Sequence, residues 1–142
     1  MRLKEELEGI IDILDKIKKE DETIPVIVEG RKDMKALRDL GIERQIIRIK
    51  KGETIFRIVE KLRENHDKVI ILTDWDSSGA KLCYKIKKAC ESNDIEYDVE
   101  YRKQMIKFLK KEIKDVESIP TFIKRAKRDL SPRKRNFRSR KT

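Results

Sequence analysis

Glu29 and Gly30 directly follow the apolar run Val26-Ile-Val28, and Asp74-Trp75-Asp76 follows a second run, Val69-Ile-Ile-Leu-Thr73. Acids placed where two buried strands stop can meet only if the strands are neighbours, about 5 Å apart. Carboxylates that close repel and raise one another's pKa values unless a cation lies between them. A hard divalent ion solves that problem, and Mg²⁺ commonly takes one or two carboxylates together with water and phosphate oxygens. Placing Asp74 and Asp76 on either side of Trp75 lets both reach the same strand end. Gly79 leaves room for a close backbone approach, and the N-terminus of the helix that follows offers N–H groups to a phosphate. Glu29, Asp74 and Asp76 are therefore the candidate metal-binding and catalytic residues, for one or two Mg²⁺ ions. Helix capping and solubility are the plainer roles open to the same acids.

The elements that must position these acids are legible as periodicity. Leu3, Leu7, Ile10, Leu14 and Ile17 form one apolar stripe on a helix over 2–19, which packs on its own domain or forms the seam of a homodimer. Short apolar strands are expected at 24–28, 45–49 and 69–73, the last central, with Pro25 tolerated only at a strand start. Helices are expected over 32–40, closed by Gly41, over 53–65, and from a Ser77 or Ser78 cap to about 92. Residues 95–101 alternate apolar and acidic, which predicts an edge strand with its acidic face in water. Helical stretches follow at about 103–114 and 119–129. Strands joined by helical crossovers make a parallel sheet. The expected fold is α/β: a four-stranded, mainly parallel, Rossmann-like sheet flanked by helices, with an N-terminal helix and a helical C-terminal extension. With order 2-1-3-4, the first and third strands adjoin at the switch point, where such sheets bind ligands. The organisation reads as an N-terminal helix over 1–22, a domain over 23–101, an extension over 102–130 and a basic tail over 131–142.

Charged residues make up 45% of the 142-residue chain, and the net charge is +10. Nearly all of that excess lies from Lys124 onward, where Lys and Arg outnumber a single acid, Asp129. Charge segregated in this way points to a polyanionic partner, nucleic acid being the commonest. Arg133, Lys134, Arg135, Arg138 and Arg140 in the tail are candidate contacts, with Phe137 among them. Arg31, Lys32, Arg48, Lys50 and Lys51 fall near the carboxyl edge of the sheet and could grip phosphates, or simply form a solvated rim. Trp75 packs or stacks on a base, Asp33 caps the first crossover helix or supports the acids, and His66 ends a helix. A single histidine and the absence of a CxxC pair argue against zinc. Cys83 and Cys90 lie about 10 Å apart along one helix, so they cannot bridge and are expected to be reduced and buried. The first residues alternate charge with apolar side chains, unlike a signal peptide or a membrane span. A cytoplasmic protein without membrane contact is expected.

Val26-Ile-Val-Glu-Gly-Arg-Lys-Asp33 and Ile70-Ile-Leu-Thr-Asp-Trp-Asp-Ser-Ser-Gly79 resemble the two signature segments of the Toprim domain. That domain is shared by topoisomerases, bacterial-type primases, OLD-type and recombination-repair proteins, and ribonucleases that mature 5S ribosomal RNA. The likeness covers about residues 23–100 and is greatest to small stand-alone archaeal Toprim proteins of primase or maturase type. It implies that Glu29 is a metal ligand or general acid–base group and that Asp74 and Asp76 bind Mg²⁺. Ser77 and Ser78 depart from what relatives often carry, so the resemblance assigns them no role.

These readings lead to Mg²⁺-dependent, nuclease-like processing of phosphodiesters in structured RNA or another nucleic acid. A non-catalytic RNA or ribonucleoprotein binder that keeps the metal site is the second reading. A phospho-acceptor domain is the third, and it lacks the expected fifth strand with a lysine. Topoisomerase and primase actions would need domains that the sequence does not contain.

Overall fold

The alternation of strands and helices is realised in a computed structural model that describes residues 2–50 and 52–132. The elements are α1 (Arg2–Lys19), β1 (Val26–Val28), α2 (Arg31–Asp39), β2 (Ile46–Arg48), α3 (Ile55–Leu62), β3 (Lys68–Ile71), α4 (Ser77–Ser92), β4 (Glu96–Asp98), α5 (Glu100–Leu109) and α6 (Ile119–Asp129), with a 3-10 turn at Val116–Ser118. The four strands are parallel and ordered β2-β1-β3-β4, so β1 and β3 form the centre. Val26 pairs with Ile70 and Ile27 with Ile71, and Leu72 N–H extends the ladder to Ile27 O at 2.9 Å.

Side chains alternate across a strand, so β1 and β3 feed two cores. Val26, Val28, Ile70 and Leu72 meet residues of α1, α2, α5 and α6 on one face. Ile27, Val69 and Ile71 meet α3 and α4 on the other. This two-sided burial is why both strands read as unbroken apolar runs. The α1 stripe is occupied inside the chain: Ile10, Ile13, Leu14 and Ile17 are buried in the first core, against α5 and α6. α2 ends as its sequence predicts, with Gly41 at φ +89°, a left-handed conformation that glycine adopts without penalty.

Arg44 fastens the amino edge of the sheet. Its guanidinium donates to the carbonyls of Ile17 (2.8 Å), Glu20 (2.8 Å), Asp21 (2.6 Å) and Ile24 (2.8 Å). It thereby adds a donor to four carbonyls at the end of α1 and in the loop to β1, two of which, Ile17 and Asp21, also accept backbone N–H groups.

Two expectations need correction. The helix after β3 is capped by Asp76, whose Oδ1 accepts the Gly79 N–H at 2.7 Å, and Ser77 is already its first residue. The fourth strand is shorter than the alternation of 95–101 suggests. Asp98 Oδ1 accepts the Glu100 N–H at 2.8 Å and Val99 O accepts from Lys103 N–H at 3.0 Å, which turns the chain into α5. Tyr101 therefore sits on a helix, and its hydroxyl donates to the Glu20 carboxylate. β4 does lie at the sheet edge. Lys51, Arg133, Lys134, Arg135, Arg138 and Arg140 lie outside the described residues. Among those that are described, no helix is long and apolar enough to cross a membrane.

Candidate metal and phosphate site

The switch point between β1 and β3 brings Glu29 against Asp74. Glu29 Oε2 accepts the Asp74 backbone N–H at 2.8 Å, so a side chain continues the hydrogen bonding where the strand ladder stops. Asp74 Oδ1 in turn accepts the Val116 N–H at 2.9 Å. Each carboxylate keeps its other oxygen free of hydrogen bonds among the described residues.

Two further groups of acids stand close by. Asp33 is buried and accepts the Gly30 N–H at 3.1 Å, the capping role expected for it. Burial pushes its carboxyl up to about 6, against the pull of the Gly30 hydrogen bond, and the charges of Glu29, Glu117 and Asp115 push the same way. Asp74 is pushed up to about 7, first by burial and then by Asp33, Glu29 and Asp115, with the Val116 hydrogen bond opposing. Asp115 caps the 3-10 turn by accepting the Ser118 N–H at 3.0 Å. Asp76 stands apart: it is exposed, it caps α4, and it is not among the charges that raise Asp74. Among the described residues no three acidic or imidazole side chains form a ready metal-holding group.

The donor set nevertheless suits a hard cation. Glu29 and Asp74 offer the two carboxylates that Mg²⁺ commonly takes, leaving its other positions to water and phosphate oxygens. Burial is the first cause of the raised Asp74, and the neighbouring charges that add to it are what a divalent ion would offset.

The corner that carries these acids is tightly built. A Cβ at Gly79 would lie 1.9 Å from the Asp74 carbonyl oxygen, so only glycine lets α4 start so close to the strand end. Thr73, fully buried, donates its hydroxyl to Gly79 O at 2.8 Å. Arg102 reaches from α5 to the carbonyls of Thr73 (3.0 Å) and Asp74 (2.8 Å) and so ties α5 to the strand end. Trp75 packs against the first core, and its indole N–H donates to Ile113 O at 2.7 Å, which is a packing role. Its backbone N–H donates to Lys114 O at 3.0 Å, which docks the segment between α5 and α6 beside the site.

Arg102, Asp115 and Glu117 were not singled out by the sequence. The helix expected over about 103–114 runs instead from Glu100 to Leu109, which frees the following residues to turn toward the site, and a cation that binds carbonyls leaves no charge pattern. Of the basic candidates, Arg31 and Lys32 are exposed on the first turn of α2, Arg48 is half-buried at the end of β2, and Lys50 is exposed beyond it. All four lie toward the carboxyl edge. His66 lies at the opposite edge, its Nδ1 3.0 Å from Thr23 O. Cys83 and Cys90 are free and buried on α4, and burial raises the Cys90 thiol to about 11.

Comparison with known proteins agrees with this architecture. The Toprim domain family matches residues 24–117. A UPF0292 protein of Methanocaldococcus jannaschii is 30% identical over 87% of this chain and 96% of its own. Another, from Methanosarcina barkeri, is 36% identical over 69% of this chain and 68% of its own. A solved structure of a protein from Aquifex aeolicus superposes with a TM-score of 0.66 at 29% identity, covering 76% of this chain and 95% of that one. At the level of the family, the Toprim domain goes with divalent-metal binding and the processing of nucleic acids. With its signature acids at the β1–β3 switch point and its match across most of the length, the chain belongs to the Toprim domain family, alongside the UPF0292 proteins of archaea.

Proposed function

We propose that this protein is a Mg²⁺-dependent enzyme that cleaves or trims phosphodiester bonds in structured RNA. The observation that carries the reading is the Glu29–Asp74 pairing at the switch point, with more negative charge around it than the two carboxylates themselves supply. Glu29 and Asp74 would hold the ion through the oxygens they leave free of hydrogen bonds, and Asp76, which caps α4, would join them as a third ligand. When bound, Mg²⁺ polarises the phosphate and stabilises the charge that develops on the leaving oxygen. In the alternative role that the family resemblance allows, Glu29 would leave the ion to Asp74 and Asp76 and, fixed by the Asp74 N–H, pass a proton to or from the reacting oxygen. Arg102 fixes the strand end, so that the acids keep their places as charge builds. Arg31, Lys32, Arg48 and Lys50 grip phosphates along the carboxyl edge, and Lys51 and the tail residues Arg133, Lys134, Arg135, Arg138 and Arg140 extend that grip.

Incubation of the full chain and of Asp74→Asn with labelled structured RNA and Mg²⁺ tests the proposal. Cleavage by the first and none by the second is expected; no cleavage by either, with RNA still bound, overturns it in favour of a non-catalytic RNA-binding protein. That second reading is supported by one observation, the separation of Asp76 from the other acids. Removal of residues 131–142 is expected to flatten the salt dependence of RNA binding.

A further inference from the structure

The outer surface of α3 and α4 carries two features that the acidic site does not use. Phe56 and Tyr84 are the large apolar side chains left exposed among the described residues, at 47% and 58%. Both line one groove of about 610 Å³, with Ile49 and Ile55 at its floor and Lys85 and Lys88 on its rim. Aromatic rings are normally buried for their area, and two left open in one groove mark a surface with a partner.

The chemistry around the rings narrows that partner. Lys81, Tyr84, Lys85 and Lys88 fall at helical spacing on the exposed side of α4. The Lys88 ammonium lies 5.5 Å from the centre of the Tyr84 ring and also pairs with Glu91 at 3.6 Å. Glu53, the acid in the groove, is paired with Lys61 at 2.9 Å and held below its ordinary range by that contact, with Lys50 and Arg57 acting in the same direction. Exposed rings among ammonium groups are what an unpaired polynucleotide takes: bases stack on the ring area that Lys88 leaves uncovered, and phosphates meet the lysines. An acidic helix could use the lysines but would leave the ring faces without partners.

The position fits the site as well. Ile49 to Phe56 follow the carboxyl end of β2, and the start of α4 is marked by its cap Asp76, two residues after Asp74. Tyr84 lies about 12 Å along α4 from that start, at 1.5 Å per residue. A strand leaving the acids along α4 would reach the groove directly.

We propose that the Phe56–Tyr84 groove is a stacking platform for unpaired nucleotides that flank the bond held at the acidic site. This rests on the nucleic-acid reading above and adds a requirement to it, that the substrate have a single-stranded segment next to that bond.

The test is equilibrium binding of the full chain to a single-stranded oligonucleotide and to a blunt hairpin without unpaired flanks. Both rings are exposed, so their replacement leaves the core intact. Tyr84→Ala is expected to weaken binding of the single strand about tenfold and Phe56→Ala with Tyr84→Ala further, with the hairpin little changed. Tyr84→Trp is expected to retain binding and Tyr84→Leu to lose it, since leucine is apolar but cannot stack. Single-strand affinity unchanged in the double alanine variant overturns the platform and leaves the acidic-site reading standing. No binding of either nucleic acid by the native chain overturns both. A dimer in light scattering that Tyr84→Ala dissociates would assign the groove to a second copy and overturn the platform.

Discussion

Asp74 accepts the backbone N–H of Val116, 42 residues away in sequence, so the acid that ends the third strand also holds the connection between α5 and α6. The two duties can be separated. Asp74→Asn keeps an oxygen for Val116 and loses the charge, so without Mg²⁺ above pH 7 it should melt no lower than the native chain, while losing Mg²⁺ affinity and cleavage. Asp74→Ala should lose both and be destabilised by about 1–2 kcal/mol, as for a part-buried donor left unpaired. Thermal melts, Mg²⁺ titration and hydrogen exchange at Val116 distinguish the two.

The raised carboxyls make the metal-free protein sensitive to pH in a predictable direction. Asp33 and Asp74 hold their protons more tightly when folded, up to about 6 and about 7, than an unfolded aspartate does near 4. Between these values the folded state binds more protons, so stability falls as pH rises. The melting temperature without Mg²⁺ should therefore drop from pH 5 to pH 8, and saturating Mg²⁺ should flatten the slope. A melting temperature that rises over this range, with or without the ion, would refute the account of the cluster.

Asp76 offers a comparison of cap with ligand. Asparagine caps about as well as aspartate, whereas alanine typically loses about 1 kcal/mol. Asp76→Asn should thus keep the native melting temperature and weaken Mg²⁺ binding less than Asp74→Asn does. Unchanged Mg²⁺ affinity in Asp76→Asn would restrict this residue to its cap.

Gly79→Ala should be the most damaging single change at the corner. The added carbon would meet main chain, which cannot rotate aside, and the displacement falls on Asp74 itself. A loss of about 3 kcal/mol is expected, with reduced Mg²⁺ binding in whatever folds. Ser78→Ala, one position earlier and exposed, is the matched control and should be nearly silent.

The sheet and the pairing of Glu29 with Asp74 were legible because β1 and β3 are buried on both sides. Such strands announce themselves as apolar runs, and crossover length then settles direction and order. The end of β4 was less legible. Alternation through Tyr101 suits a strand, but a local hydrogen bond from Glu100 to Asp98 overrides it and starts a helix. The cap of α4 was misassigned by one or two residues because Asp76, Ser77 and Ser78 are all good caps, and the choice depends on the reach to Gly79. Arg102 and Asp115 were invisible for a different reason. The place of Asp115 depends on how the segment after α5 docks through Trp75 and Val116, and Arg102 acts on backbone carbonyls, so neither leaves a pattern in residue types.

Arg44 has a consequence for how the molecule opens. Its guanidinium spans the last carbonyls of α1 and the first residues before β1, so the helix cannot lift away without leaving a cation and several acceptors unsatisfied together. Fraying from the amino terminus should stop before Ile10, the first fully buried residue of α1, and beyond it helix and sheet should unravel in one cooperative event. A chain shortened to begin at Thr23 would therefore be a weakened sheet with an uncovered face, rather than a trimmed domain.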